Sequence, residues 1–188
     1  MNSFAVFLRG INVGGINIKM ADLKAALKAY PFADVKTLLA SGNVVLQSEL
    51  DASAVKDEFE KCLREAFGYD AWVVVLTAER VAELVEACPY PADDKTTHSY
   101  ITLASDAAML DELFDAGTAL GTVGEGGVDQ VRLGPEASAW LAPAGGTLDS
   151  PFSKLSAKAR YKASTTTRNL RTLIKVRDAV KALQKEDA

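Results

Sequence analysis

At 188 residues, 48% hydrophobic and 24% charged, the chain has a soluble globular composition, long enough for one domain or two small subdomains. No apolar run approaches the roughly 20 residues of a membrane helix, and Met1-Asn2-Ser3 lacks the basic start of a secretory signal. The formal net charge of −4 hides a division: residues 1–153 carry 11 basic and 22 acidic side chains, a balance of −11, while residues 154–188 carry 10 and 3, a balance of +7.

An acidic body opposes phosphate binding over its general surface. The basic segment then either neutralises the body or offers an anion site. The two cysteines, Cys62 and Cys88, have no framework spacing, so they read as part-buried thiols in a reducing cytoplasm.

In chain order, Phe4-Ala5-Val6-Phe7-Leu8 is an apolar strand. A glycine-rich turn follows it, Arg9-Gly10-Ile11-Asn12-Val13-Gly14-Gly15-Ile16-Asn17. Met20, Leu23, Ala26, Leu27 and Tyr30 recur at helical spacing until Pro31. Residues 35–39 and 44–47 are short strands joined at Ser41-Gly42-Asn43, where Gly42 and Asn43 tolerate positive φ. Asp51 or Ser53 caps a helix with the apolar stripe Val55, Phe59, Leu63 and Phe67, and Gly68 ends it. Residues 72–76 are a further buried strand, which completes a β-α-β-β-α-β order.

The second half is related and less complete. Thr77 caps a helix with Val81, Leu84, Val85 and Cys88. Residues 99–103 form a strand, and Ser105 caps a helix with Met109, Leu110, Leu113 and Phe114. Five glycines over 117–127 predict a mobile linker. Residues 128–133 and 139–141 read as a second hairpin. Thr165, Thr166 and Thr167 are candidate caps of a last helix whose stripe is Leu170, Leu173, Ile174, Val180 and Leu183.

The expectation is therefore an α+β fold. A ferredoxin-like βαββαβ half over 1–78 precedes a related α/β half over 79–188, with mostly antiparallel sheets, packed helices and a long C-terminal helix.

The chemistry is sparse. Gly10 and Gly15 have the glycine spacing of a P-loop, but Ile16 and Asn17 stand where that loop needs Lys and Ser or Thr. The turn is then either a tight connection or an anion cradle built from backbone N–H groups. His98 is the single histidine, no ligand spacing surrounds it, and no G-x-S-x-G elbow supports a triad. No metal or cofactor is implied, and no residue stands out as a nucleophile or general base. An RNP1 pattern of aromatics is missing from Val44-Val45-Leu46, which ranks nucleic acid below a small phosphorylated ligand.

The motifs Arg9-Gly10-Ile11-Asn12-Val13-Gly14-Gly15, Ser41-Gly42-Asn43-Val44, Ser153-Lys154-Leu155 and Thr166-Thr167-Arg168-Asn169 together resemble a bacterial family of unknown function, DUF 1697. The likeness spans nearly the whole chain in order. It departs at Leu170, where the family shows Trp, and at Asp149-Ser150-Pro151-Phe152, where the family is commonly glycine-containing. The resemblance implies two ferredoxin-like parts and a cytoplasmic bacterial protein, and implies no activity.

Its signature is mostly polar or glycine, where a packing signature would be apolar. The expected site gathers Arg9, Gly10, Asn12, Gly14, Gly15, Ser41, Asn43, Ser153, Lys154, Thr167, Arg168 and Asn169. Arg168 and Lys154 would pair with an anion, and amides at the glycine turn and at a helix start near Thr167 would add donors. The competing reading is a buried polar network that locks the chain together. Three functions follow: a site for a phosphorylated or nucleotide-like small molecule, a nucleic-acid-binding module using the basic segment, or a protein-interaction domain without ligand.

Overall fold

A computed structural model describes residues 1–9, 17–70, 72–122 and 127–186. The chain divides into two compact units, residues 1–83 with 174–188, and residues 84–173. Among the described residues no helix is long and apolar enough to cross a membrane.

The first unit holds β1 (Asn2–Leu8), α1 (Met20–Leu27), β2 (Ala33–Leu38), β3 (Asn43–Ser48), α2 (Ala52–Phe67) and β4 (Val73–Thr77). Its antiparallel sheet has the order β2-β3-β1-β4, the order expected of a split βαβ arrangement. Alternation sends Phe4, Val6, Leu8, Val44, Leu46 and Val73 to one face. There they meet Leu23 and Leu27 of α1 and Val55, Phe59, Cys62 and Leu63 of α2. Gln47 points the other way and donates to the Leu183 carbonyl. The predicted caps of α2 are in place: Asp51 Oδ1 accepts from Ala54 N at 2.9 Å, and Gly68, at φ 60°, gives its N–H to the Arg64 carbonyl, and the next N–H, of Tyr69, goes to the Leu63 carbonyl.

The second unit contains β5 (Thr97–Ala104), α4 (Ala107–Thr118), β6 (Gln130–Gly134), β7 (Ala137–Pro143), α5 (Pro151–Ser156), α6 (Ala159–Lys162) and β8 (Thr165–Asn169). Its sheet order, β6-β7-β5-β8, repeats the first with strands taken in chain order, and α5 and α6 stand where α2 stands in the first unit. Helix α3 (Ala78–Ala87) lies between β4 and β5, and α7 (Leu170–Glu186) closes the described chain. The α+β class, the antiparallel sheets and the long last helix agree with the sequence reading.

Several local expectations are corrected. Asp106, not Ser105, caps α4, because its Oδ1 reaches both Ala108 N and Met109 N. Gly117 belongs to α4 and not to a linker, and residues 123–126 lie outside the described residues. Asn43 is the first residue of β3, and the positive φ angles of the β2–β3 turn fall on Leu39 and Gly42. Helices α5 and α6, of six and four residues, are too short to show a periodic stripe.

Candidate functional site

Strand β1 delivers Arg9 to one end of the first sheet. Leu8 N donates to the Gly42 carbonyl at 2.8 Å, so the exit from β1 runs beside the β2–β3 turn. Asn43 is fully buried and holds that turn. Its Nδ2 donates to the Leu38 carbonyl at 3.0 Å and to Ser41 Oγ at 2.9 Å. On the other side of β1, Leu8 pairs with Val73, which brings Trp72 and the end of α2 to the same place. The left-handed Gly68 turns the chain out of α2, and the Tyr69 hydroxyl then donates to the Arg9 carbonyl at 2.8 Å. The Arg9 guanidinium carbon sits 5.5 Å from the centre of the Trp72 ring, within cation–π range.

The Arg9 Nε is buried and has no hydrogen-bond partner among the described residues. A buried donor left without an acceptor costs roughly 1–3 kcal/mol. Of the expected site, Arg9, Ser41 and Asn43 thus gather at one sheet end, whereas Gly10, Asn12, Gly14 and Gly15 lie outside the described residues. Tyr69 and Trp72 were not among the residues singled out from sequence. Two aromatics between a helix-ending glycine and a strand were the available signal, once β4 is placed beside β1.

In the second unit the Thr-Thr-Arg-Asn stretch is strand β8, not a helix start. Three consecutive threonines are β-branched and favour the extended chain, and β5 offers a sheet edge to pair with. Helix α7 begins one residue later, at Leu170, and Asn169 caps it, with Oδ1 accepting from Arg171 N at 2.9 Å.

Alternation separates neighbours in this strand. Thr167 pairs with Thr102, and their hydroxyls meet at 2.9 Å. Arg168 pairs with Ile101 and so faces the opposite way. A ligand on one face of this sheet meets one of these side chains and not the other. Arg168 is 7% exposed, and its Nη1 donates to Thr166 Oγ1 at 2.7 Å and to the Thr167 carbonyl at 3.0 Å. Burial pushes its guanidinium down to about 10, which leaves it cationic at neutral pH. Ser153 lies in the first turn of α5, where its N–H and hydroxyl meet the capping Ser150 Oγ. Lys154 is exposed, 3.8 Å from Asp149, a pair that solvent screens.

Other chemistry is thin. Among the described residues no group of three or more His, Cys, Asp and Glu is arranged to hold a metal. His98 Nδ1 lies 3.4 Å from an Arg171 nitrogen. Burial raises both the Cys62 and Cys88 thiols, which disfavours nucleophilic use. A groove of about 320 Å³ at the far end of the first sheet, lined by Met1, Asn2, Asp51, Glu79 and Gln184 among others, contains none of the expected site residues.

A family model described as "Protein of unknown function (DUF1697)" matches residues 1–126. No curated protein matches the chain. Among solved structures, the chain is similar to the conserved bacterial protein SP0830 from Streptococcus pneumoniae, with 20% identity and a TM-score of 0.77 over 95% of this chain and 98% of that one. At that identity the likeness establishes the fold alone.

Proposed function

The chain belongs to the DUF1697 family of proteins of unknown function, and we propose that it binds a phosphorylated or nucleotide-like small molecule at the glycine-rich turn after β1. The observation that carries this reading is Arg9, a partly buried guanidinium at the exit of β1 whose Nε lacks a hydrogen-bond partner among the described residues. A phosphate oxygen would satisfy that donor and meet its charge. Glycines at 10, 14 and 15 let backbone approach a phosphate closely, with Asn12 and Ser41 as neutral polar contacts. Asn43, whose amide is engaged in the turn, acts by holding Ser41 and Gly42 in place.

A separate counter-charge in the second unit would come from Arg168 and Lys154, beside Ser153, while Thr167 and Asn169 leave β8 on the face opposite Arg168 and do not share that ligand. That second contact rests on Arg168, a buried cation that an anion would stabilise.

A thermal-shift panel of nucleotides, sugar phosphates and inorganic phosphates tests the proposal. A specific ligand raises the melting temperature, and Arg9→Ala removes the rise. No rise across the panel, or a rise that survives Arg9→Ala, contradicts the site. Arg168→Ala tests the second-unit contact separately: a rise that it leaves intact removes Arg168 from the reading.

A further inference from the structure

Building on the anion site proposed above, we infer that Tyr69 and Trp72 are positioning residues, which hold Arg9 so that the Nε–Nη edge of its guanidinium is presented side-on to a phosphate-type oxyanion.

A guanidinium has a face and an edge with different uses. The face is attracted to an aromatic ring, and the edge carries every N–H. Cζ lies 5.5 Å from the Trp72 ring centre, so the charge has an aromatic neighbour that accepts no conventional hydrogen bond from the guanidinium in its plane. Among the described residues the Nε, one end of the side-on edge, has no acceptor. A tetrahedral oxyanion offers two oxygens at the spacing of Nε and one Nη. Lysine at this position would keep the charge and lose the fork.

Tyr69 fixes the other end of the same residue. Its hydroxyl donates to the Arg9 carbonyl at 2.8 Å, so it restrains the backbone at the exit of β1. The ring is itself anchored, packed against the core between α2 and the sheet. Both aromatics come from the short connection between α2 and β4, which Gly68 starts by taking φ 60°. Its far end is fixed by the pairing of Val73 with Leu8. One connection therefore braces Arg9 from the backbone and from the side chain.

Isothermal titration of the full chain with inorganic pyrophosphate, alongside the melting temperature of each variant, tests the inference. Trp72→Leu should weaken pyrophosphate binding about tenfold, and Trp72→Phe, which keeps a π face, should recover most of it. Tyr69→Phe removes one hydroxyl and keeps the packed ring, and it should weaken binding about threefold. Arg9→Lys should lose at least as much as Trp72→Leu. If the wild type and Arg9→Lys differ as expected while Tyr69→Phe and Trp72→Leu bind like the wild type, the inference falls and the anion site stands. Lower melting temperatures with unchanged affinity assign the aromatics a structural role and also overturn it. No binding by the wild type overturns the anion site itself, and the inference with it.

Discussion

The indole Nε1 of Trp140 donates to Thr102 Oγ1 at 3.0 Å inside the second unit. Thr102 is fully buried, and its hydroxyl also meets Thr167 Oγ1 at 2.9 Å, so one oxygen links β7, β5 and β8. Trp140 stacks on Tyr100 at 4.8 Å and meets Phe152 edge-on at 4.9 Å. Thr102→Val keeps the shape and removes the shared oxygen, leaving an indole donor without an acceptor. Urea titration should show a loss of roughly 1–3 kcal/mol, and near-ultraviolet dichroism should show a changed Trp140 band. An unchanged midpoint would mean that the network contributes nothing net.

Asn43 is expected to matter more than Ser41, although both belong to the same motif. Asn43→Ala removes two hydrogen bonds from a buried side chain and should destabilise by roughly 1–3 kcal/mol. Ser41 is exposed, so Ser41→Ala should stay within about 0.5 kcal/mol. Equal effects would remove the turn-holding role assigned to Asn43.

Gly117 lies in α4 where a helix would ordinarily gain from alanine. A Cβ there would sit 2.7 Å from Phe152 Cε2 and 2.8 Å from Gln130 Nε2. Phe152 is 1% exposed in the core of this unit, so the ring has little room to retreat. Overpacking of roughly 1–3 kcal/mol should exceed the helix-propensity gain of about 1 kcal/mol. A Gly117→Ala variant with a higher melting temperature would show that the core yields freely.

Burial, with the Glu65 carboxylate adding to it, raises the Cys62 thiol from 9.0 to about 11. The folded chain therefore keeps a proton that the unfolded chain releases between those values. The stabilisation is complete below pH 9 and is lost as pH climbs toward 11. Stability measured from pH 8 to 11 should fall less steeply in Cys62→Ala than in the wild type. At pH 8 the native thiol should resist alkylation and react only on unfolding. Matching slopes, or rapid alkylation of the native chain at Cys62, would contradict its burial.

The first unit was largely legible because its signals are long and regular. The stripe Val55, Phe59, Leu63 has an Asp51 cap and a Gly68 stop around it, and the apolar runs of β1 and β4 suit central positions. The β-α-β-β-α-β order then leads to β2-β3-β1-β4. The second unit was harder at its end. Threonine serves both as a helix cap and as a strand former, and the pairing of Thr167 with Thr102, 65 residues away, decides between them. That pairing also separates Thr167 from Arg168, neighbours in the motif that leave opposite faces of the sheet. Within the site, Arg9, Ser41 and Asn43 could be named from their motifs. Tyr69 and Trp72 could not, because their contacts with Arg9 arise only when the chain after α2 returns beside β1.

The most direct test of the Arg9 site uses the two tryptophans of the chain, labelled as 5-fluorotryptophan and followed by fluorine NMR during titration with inorganic pyrophosphate. Trp72, assigned by its loss in Trp72→Phe, lies under the Arg9 guanidinium, while Trp140 is 3% exposed in the core of the second unit. The Trp72 resonance should move saturably while that of Trp140 stays in place, and Arg9→Ala should abolish the movement. A Trp72 resonance that stays fixed, or one that moves equally in Arg9→Ala, would contradict an anion site at Arg9.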